Sequence, residues 1–473
     1  MSGLIETLTA SGGPERAGFL NDLVENLWPN ICVAGADMTK NIVEPMFASM
    51  LPAPLNSLHF EKIDLGQQPL KLGNIDVHKV ENGAIKLDLD VDWDSKCDIE
   101  LNGKMIPKIG IEHVKLRGRL SVMLGPLTNV IPLIGAAQVA FVNAPYLKFE
   151  YTDAAHIANV GFIDSNVRKI VQSIMASMVV LPNRFLVKLD ANNDWFKTYQ
   201  HPIGVLRLTV ESGSELGQDK EGKSFFKKLV HDEPDCFVKV LVSAEQQWRT
   251  KTIQNNRHPE WNETNDFVVS DYEQQVELDV DDDDTASDDD IGVGAITVKK
   301  LLLDGGRQEL GLSHKEAPIP GKIKLSSRFL GFVPDASSLS SEEPGIHGLL
   351  TILVASALGI PGRREELKPS VAVTWGSNKF RTAIKTDIPG SDVQNPSFDQ
   401  AFRIPLQAGA LTGAAPVRIA LMDGTTETGA IEVKLEDVLA APDLVLQKDF
   451  AIGGGDGPVV RAAIVLRGTK QLA

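Results

Sequence analysis

Two long segments of the chain alternate strictly between apolar and polar residues. Ala84–Asp94 reads AIKLDLDVDWD, and His113–Leu124 repeats the pattern. Because successive side chains of a β-strand point to opposite faces, each segment predicts a strand with one apolar and one polar face. Such strands exceed the usual ~5–6 residues and favour a curved or barrel-like antiparallel sheet. The apolar faces comprise Ile85, Leu87, Leu89, Val91 and Trp93 on the first strand and Val114, Leu116, Gly118, Leu120, Val122 and Leu124 on the second.

The polar face of the first strand would carry Lys86 and four aspartates, Asp88, Asp90, Asp92 and Asp94. A helical segment precedes the strands. Apolar residues recur there at helical spacing within Asn21–Met50, and Pro29 and Pro45 predict breaks or first-turn positions. The N-terminal region is therefore predicted to be an α+β domain. In a generic domain of this kind the apolar sheet face would simply pack on the helix, and this alternative stays open.

An acidic run separates two later strand-like segments. Asp279–Asp290 reads DVDDDDTASDDD, in which eight of twelve residues are aspartate. Such a run repels itself unless it is solvated or holds a cation. Calcium takes six to eight hard oxygen ligands in a flexible shell, so the run predicts a calcium-binding loop. The alternative is a solvated acidic surface loop.

The sequence around the run resembles a C2 domain, the calcium- and phospholipid-binding β-sandwich. The resemblance rests on the strand VLRLTV after Gly204, on Asp235-Cys-Phe-Val-Lys-Val, on His258-Pro-Glu-Trp-Asn-Glu263 and on the acidic loop ending in Ile291-Gly292. It implies calcium ligands on two loops at one end of the sandwich. The implied ligands are Asp219, Asp235, Asp282, Asp284 and Asp289. A shift of one residue would select Asp281 and Asp283 in place of Asp282 and Asp284. Phe225, Phe226, Lys227 and Lys228, in the long first loop, are predicted to touch membrane or else to cover the edge of the sandwich.

The C-terminal third repeats this pattern without the aspartates. Strand-like segments and Asn395-Pro-Ser-Phe-Asp-Gln-Ala-Phe402 echo the first sandwich, after a linker rich in Ser, Pro and acidic residues at 334–345. Its first loop, Gly359–Pro369, has no aspartate, and its third loop has only Asp423. Because calcium affinity follows the number of charged ligands, this second C2 domain is predicted to be calcium-independent.

Composition narrows the class of protein further. The net charge of −16 argues against broad nucleic-acid binding, and three scattered cysteines fit a reduced, cytosolic protein. No apolar run is long enough for a transmembrane helix, and the N-terminus lacks the features of a signal peptide. The sequence contains no Gly-x-Ser-x-Gly, His-Glu-x-x-His or Walker motif, so we expect no enzymatic activity.

Residues 15–190 resemble the SMP domain, a tubular (TULIP-like) lipid-binding fold found in extended synaptotagmins and tricalbins. The resemblance rests on Phe19-Leu-Asn21, Trp28-Pro29, Glu44-Pro45, Phe60-x-Lys62-x-Asp64-x-Gly66-Gln-Gln-Pro69 and Leu181-Pro-Asn-Arg184. It implies an apolar groove that holds glycerophospholipid acyl chains, with lining residues Ile85, Leu87, Leu89, Val91, Trp93, Leu116, Leu120, Val122 and Leu124. It also implies a homodimer through the SMP domain and a place at endoplasmic reticulum–plasma membrane contact sites. The hydrophobic hairpin that anchors the family has no counterpart in the sequence.

The sequence thus predicts an N-terminal tail (1–14), an SMP domain (15–198), a calcium-binding C2 sandwich (199–333), a linker (334–345) and a second C2 sandwich (346–473). The expected function is transfer of glycerophospholipids between membranes, with calcium-dependent docking of the first C2 domain on an anionic membrane surface. The alternative is a calcium-regulated tether or docking scaffold that transfers no lipid.

Overall fold

The computed structural model describes residues 14–15, 17–51, 53–80, 83–152, 160–190, 193–217, 233–243, 246–283, 289–315, 317–388, 390–454 and 457–471. Asp219, Asp284 and the segment Phe225–Lys228 lie outside these ranges. Asp289 is described only as the first residue of a strand. Among the described helices, none combines the length and apolarity needed to span a bilayer.

A curled antiparallel sheet with two main helices forms the N-terminal domain. Its strands run in the order β1-β3-β4-β5-β6-β8, with β2 added beside β4 and β7 beside β5. The alternating segments form the first half of β4 and the second half of β5, two much longer strands of a sheet that curls around the apolar interior. The strands are β1 (Pro14–Glu15), β2 (His59–Asp64), β3 (Lys71–Lys79), β4 (Ile85–Gly103), β5 (Ile106–Leu127), β6 (Ile134–Phe141), β7 (Tyr146–Tyr151) and β8 (Phe185–Lys188).

Helix α1 (Gly18–Met50) is continuous, so the breaks predicted at Pro29 and Pro45 were wrong. A proline removes a single hydrogen bond from a helix. Buried contacts on one side of α1 hold the helix in place around both prolines, since Trp28 and Phe47 are almost fully buried. Helix α2 (Val160–Val179) follows β7, a short helix α3 (Trp195–Thr198) follows β8, and a 3₁₀ turn spans Leu55–Ser57.

The first sandwich contains strands β9 to β16. They are β9 (Gly204–Ser214), β10 (Cys236–Leu241), β11 (Gln247–Arg249), β12 (Glu260–Val269), β13 (Gln275–Asp282), β14 (Asp289–Thr297), β15 (Arg307–His314) and β16 (Ala317–Val333), with helix α4 (Val298–Leu303) after β14. Its core is built from the inward residues of these strands, including Leu206, Val238 and Phe267.

The second sandwich contains strands β17 to β24. They are β17 (Ile346–Leu358), β18 (Pro369–Trp375), β19 (Asn378–Arg381), β20 (Ser397–Gln407), β21 (Val417–Asp423), β22 (Thr426–Val433), β23 (Val445–Ala451) and β24 (Val459–Gln471), with helix α5 (Leu435–Leu439) and a 3₁₀ turn at Pro442–Leu444. The linker between the sandwiches is packed, because its 3₁₀ turn Ser337–Ser340 places Leu339 in this core.

The two sandwiches share hydrogen bonds end to end. The end of β16 pairs antiparallel with the end of β24, from Leu330–Gln471 to Val333–Gly468. Within each sandwich these paired ends lie away from the first and third loops. The loop ends of the two sandwiches therefore face opposite ways along the shared strand direction. At about 3.3 Å per residue, they are separated by roughly 65 Å of strand.

Candidate functional sites

The apolar rows predicted from the sequence meet in register. In the ladder between β4 and β5, Ile85 lies opposite Leu124, Leu87 opposite Val122, Leu89 opposite Leu120 and Trp93 opposite Leu116. Cross-strand neighbours of this kind lie about 4.5–5.5 Å apart, so the rows form one continuous apolar surface. Val91 faces Gly118, where a Cβ atom would come within 2.8 Å of the Phe141 ring.

This apolar surface is covered unevenly along its length. At the end nearest Gly103, Phe47, Leu101 and Ile109 are fully buried, and Trp93 and Leu116 pack against their cluster. There the domain is closed by its own helices. Toward the other end Leu89 and Val91 are buried, but Ile85, Leu87, Leu120, Val122 and Leu124 are only half-buried. The half-buried part is the section of the surface that could accept a ligand.

The opposite face of the same strands is partly buried, although the alternation predicts a polar face open to solvent. Asp88 and Ser121 are fully buried and Met123 nearly so. Asp88 lies on the predicted polar face of β4 and is buried there, because the first sandwich packs over this part of the sheet. The Lys86 ammonium lies 2.9 Å from Asp88 and 2.7 Å from Asp271 of the first sandwich. Asn143 adds two hydrogen bonds to the same loop, at Glu273 and Gln275.

Asp88 is held ionised by its neighbours in this interface. Burial opposes the charge, but the hydrogen bond from His78 and the Lys86 ammonium outweigh it. The pKa of Asp88 is therefore lowered to about 2. The loop 270–274, which carries Asp271, lies at the end of the first sandwich away from the acidic run. The N-terminal domain therefore contacts the end of this sandwich opposite to the acidic run.

Of the five predicted calcium ligands, two are described with their side chains, and these two are adjacent. The backbone N–H of Asp235 donates to the Asp282 carboxylate at 2.8 Å, and the Asp283 N–H donates to the Asp235 carbonyl at 2.9 Å. The β10–β13 register produces this contact by pairing Cys236 with Asp282. The Asp235 carboxylate also accepts the Asn255 N–H at 2.7 Å, which fixes its position.

The residues of the alternative register have cationic partners instead. Asp281 is nearly buried and accepts a hydrogen bond from the Lys239 ammonium at 2.8 Å. Asp283 binds Thr252 and Arg249, each at 2.7 Å, and these hydrogen bonds lower its pKa. Carboxylates that already bind lysine or arginine are poorer cation ligands. Asp282, beside Asp235, also has interactions of its own, so the choice between the two registers stays a prediction.

The carboxylates of Asp279, Asp281 and Asp290 lie together on one face of the β13–β14 ladder. One carboxylate oxygen from each of the three lies within 4.8 Å of the others. Partial burial and then the charges of Asp281 and Asp290 raise the pKa of Asp279. Lys239 offsets part of this negative charge. Ligand spacing along the loop does not predict this cluster, because its members lie on two paired strands.

The second sandwich places different groups at the corresponding positions. The Lys368 N–H donates to the Asp423 carboxylate at 2.7 Å, which is the contact that Asp235 makes with Asp282 in the first sandwich. Glu427 pairs with Arg418. Lysine therefore stands where the first sandwich has an aspartate.

Comparison with known proteins agrees with this architecture. Residues 13–190 match the Synaptotagmin-like mitochondrial-lipid-binding domain, and residues 204–312 and 348–445 each match the C2 domain. The chain is 30% identical over 335 residues to mouse extended synaptotagmin-2, covering 69% of this chain and 38% of the relative. It is 26% identical over 481 residues to human extended synaptotagmin-2, covering 96% of this chain and 50% of the relative.

A solved structure of extended synaptotagmin 2 that contains its SMP domain and two C2 domains has the same fold, with a TM-score of 0.65 at 23% identity. It covers 97% of this chain, and all of that structure is matched. The chain is therefore an SMP-domain protein with two C2 domains, and the predicted fold class is confirmed. Within that class it is an extended-synaptotagmin-like protein. It spans half or less of the length of the curated relatives named above.

Proposed function

We propose that the chain binds glycerophospholipids in the half-buried part of the β4–β5 surface and transfers them between membranes. The observation that carries this proposal is an inversion of the usual burial pattern. The apolar residues Leu120, Val122 and Leu124 are half-buried, whereas Ser121 and Met123 on the other face of the same strand are buried. Shielding each acyl CH₂ from water is worth about 0.8 kcal/mol, so this half-buried apolar surface suits lipid chains.

Filling the groove tests this proposal. Replacing Leu120 or Val122 by Trp should lower the transfer of a fluorescent phospholipid between liposomes while the fold survives. Arg117→Trp is the matched control, because Arg117 lies on the outer face of the same strand with its side chain half exposed. Unchanged transfer together with a melting temperature lowered by several degrees would mean that Leu120 and Val122 are ordinary core, since overpacking costs ~1–3 kcal/mol.

The first C2 domain would supply calcium-dependent docking on an anionic membrane. The hydrogen bond from the Asp235 backbone N–H to the Asp282 carboxylate supports this role, because it joins two predicted ligands at one end of the sandwich and calcium requires several converging oxygen ligands. Asp219, Asp284 and Asp289 would complete the site. A bound cation would reverse the local negative field and accept phosphate oxygens from lipid headgroups. Phe225, Phe226, Lys227 and Lys228 of the first loop would touch the membrane.

A second candidate function is a tether or docking scaffold without lipid transfer. The closed end of the N-terminal domain favours it, because Phe47, Leu101 and Ile109 fill that part of the interior. Native mass spectrometry of the purified chain separates the two candidates. Co-purifying glycerophospholipid supports transfer, whereas lipid-free protein supports the scaffold.

Pairing and location are also proposed by resemblance to the family. One side of α1 exposes Leu23, Leu27 and Ile31, which gives an apolar surface for a homodimer through the SMP domain. Loss of the dimer in sedimentation equilibrium after Leu23→Asp and Leu27→Asp would support that surface. A place at endoplasmic reticulum–plasma membrane contact sites follows from the family and is tested by imaging the tagged protein.

A further inference from the structure

The hairpin between β5 and β6 exposes apolar side chains at its tip. Leu127, Val130, Ile131 and Leu133 are 47%, 70%, 89% and 54% exposed. The sequence between Gly125 and Gly135 contains no charged residue. Clusters of large exposed apolar residues usually mark an interaction surface. We call residues 127–133 the apolar hairpin.

The backbone of the apolar hairpin is well ordered by its own hydrogen bonds. The Thr128 N–H donates to the Leu133 carbonyl at 2.8 Å, and the Leu133 N–H donates to the Val130 carbonyl at 2.7 Å. Leu133 has a φ of 73°, a conformation that favours glycine. A leucine at this position keeps an exposed apolar side chain where a glycine would be less strained. The exposure is therefore built into the fold of the hairpin.

A second exposed apolar segment lies at the loop end of the second sandwich. Ile384 and Ile388 are 49% and 61% exposed. The segment 382–388 runs past the first residues of β18, because the Lys385 N–H donates to the Pro369 carbonyl at 2.9 Å. Arg364 pairs with Asp387 at 3.0 Å, so one positive and one negative charge beside Ile388 offset each other.

Contacts between the region of β8 and β20 indicate that the apolar hairpin and the segment 382–388 lie toward the same end of the molecule. Arg403 binds Asn183 at 2.8 Å, and Lys188 binds Asp399 at 2.7 Å. The chain from Asn183 to Lys188 therefore runs antiparallel to β20, toward the loop end of the second sandwich. The next residue, Leu189, donates its N–H to Gly135 at the base of the apolar hairpin. The hairpin thus extends toward the same end as Ile384 and Ile388.

We propose that the apolar hairpin and the Ile384–Ile388 segment form one calcium-independent docking face for a phospholipid bilayer. The hairpin protrudes and is uncharged, so it suits the hydrocarbon boundary of a bilayer and needs no particular headgroup. It also continues β5, the strand that carries Leu120, Val122 and Leu124, so lipid leaving the proposed groove would meet the membrane at the hairpin. In this respect the inference rests on the proposed function.

This docking face lies opposite the proposed calcium site. The β16–β24 register directs the loop ends of the two sandwiches away from each other. Calcium-dependent docking of the first sandwich would therefore engage one membrane while the apolar hairpin engages another. The arrangement allows a single chain to bridge two bilayers.

Flotation of the full chain with pure phosphatidylcholine vesicles, in the presence of a calcium chelator, tests the proposal. The parent should float. Replacing both Val130 and Ile131 by Asp should lower the partition coefficient at least tenfold. The substitutions remove apolar area from the hairpin, and each 1.4 kcal/mol of lost binding free energy lowers the coefficient about tenfold. Ile131→Trp should raise it, because tryptophan favours the membrane interface. The control Leu303→Asp, on the half-exposed side chain of α4 away from both loop ends, should float like the parent.

Two further measurements separate this inference from the proposed function. Val130→Asp with Ile131→Asp should retain co-purifying lipid and should still bind phosphatidylserine vesicles in calcium, because neither the groove nor the first sandwich is altered. Flotation of that variant equal to the parent's, or a parent that does not float, would overturn the docking face. Loss of a dimer in sedimentation equilibrium with unchanged flotation would instead assign the hairpin to contacts between copies.

Discussion

The two C2 sandwiches share a framework but carry different residues at one corresponding position, beside the predicted calcium-binding loops. In both, a threonine hydroxyl accepts a hydrogen bond from a buried strand N–H, Thr250 from Val238 and Thr382 from Val371. In both, the residue before the next strand donates its N–H to an aspartate at the end of the facing strand. That residue is Asp235 in the first sandwich and Lys368 in the second. Because both sandwiches make this backbone contact, the contact alone does not distinguish them as calcium sites.

The sandwiches also attach to the SMP domain by different forces. The first uses charged groups, with Lys86 between Asp88 and Asp271. The second adds an apolar contact to its polar ones: Trp195 packs among Leu353, Ala355, Ala463 and Val465, and Lys188 pairs with Asp399. Buried ion pairs fix geometry but add little net stability, whereas apolar burial adds stability directly. We therefore expect the second sandwich to be the more tightly held.

Replacing Trp195 by Ala should have the largest effect. Truncating a buried tryptophan costs about 3–5 kcal/mol, and here the loss falls on the contact between α3 and the second sandwich. Hydrogen exchange should accelerate in β17 and β24, while β9 of the first sandwich keeps its protection. Trp195→Phe is the matched control and should retain most of that protection. Equal protection of β17 in the alanine variant and the parent would show that the apolar contact does not hold the sandwich.

Calcium should give the next largest effect, confined to the first sandwich. At a hundredfold excess over its dissociation constant, a ligand stabilises the folded state by about 2.7 kcal/mol. Replacing Asp282 and Asp284 together by Asn should abolish this gain and the sedimentation with anionic liposomes. Without calcium the variant should be at least as stable as the parent, because charge repulsion is reduced. Asp423→Asn in the second sandwich is the control and should leave the calcium shift in melting temperature intact. No heat in calorimetry of the parent at millimolar calcium would remove the site.

The sequence contains a signal for the apolar attachment of the second sandwich. The first strand of the first sandwich, VLRLTV, alternates and exposes part of Arg207 and Thr209 on one face. Its counterpart in β17 reads LLTILVA, a nearly continuous apolar run, and all ten residues from Ile346 to Ala355 are buried. A strand without alternation is covered on both faces. This run predicts a partner for the second sandwich, although it cannot identify Trp195.

Other features depended on long-range packing and were not readable locally. Asp88 continued a regular polar face, and only the docking of the first sandwich shows why it is buried. The β4–β5 register, by contrast, followed directly from the alternation, because a shift of one residue would have turned every apolar side chain outward. Motif spacing selected Asp235 and Asp282. The contact between Asp281 and Lys239, 42 residues away, depended on strand pairing and could not be predicted from the spacing.

Acid should loosen the ionic attachment but not the apolar one. Asp88 is ordinarily protonated below a pKa near 3.8, and in the fold this value is lowered to about 2. Its contribution to stability is therefore present above pH 4 and is lost as the pH falls through 2. The charged or titratable groups around it are His78, Lys86, Arg119, Arg184 and Asp271.

Hydrogen exchange in loop 270–274, followed from pH 5 to pH 2, measures this loss, after correction for the intrinsic pH dependence of exchange. Protection there should fall at the acid end, while protection around Trp195 persists. Asp88→Asn, which keeps the size of the side chain without its charge, should remove the pH dependence. A loop that stays equally protected at both pH values would exclude Asp88 as the acid-sensitive group.

Lys368→Asp should have the smallest effect and is the most direct test of the comparison. The substitution places a carboxylate where the first sandwich has Asp235, and the backbone N–H that binds Asp423 is unaffected. Lys368 is exposed, so stability should change by no more than about 0.5 kcal/mol. Calcium should still give no heat in calorimetry and no melting shift assigned to the second sandwich. The reason is the third loop, where β21 and β22 are joined by Gly424 and Thr425 alone, whereas the segment between β13 and β14 carries several further aspartates. Two carboxylates are too few for a calcium shell. Measurable binding by this variant, in a background with Asp282 and Asp284 replaced by Asn, would show that the residue at position 368, rather than the third loop, decides between the two sandwiches.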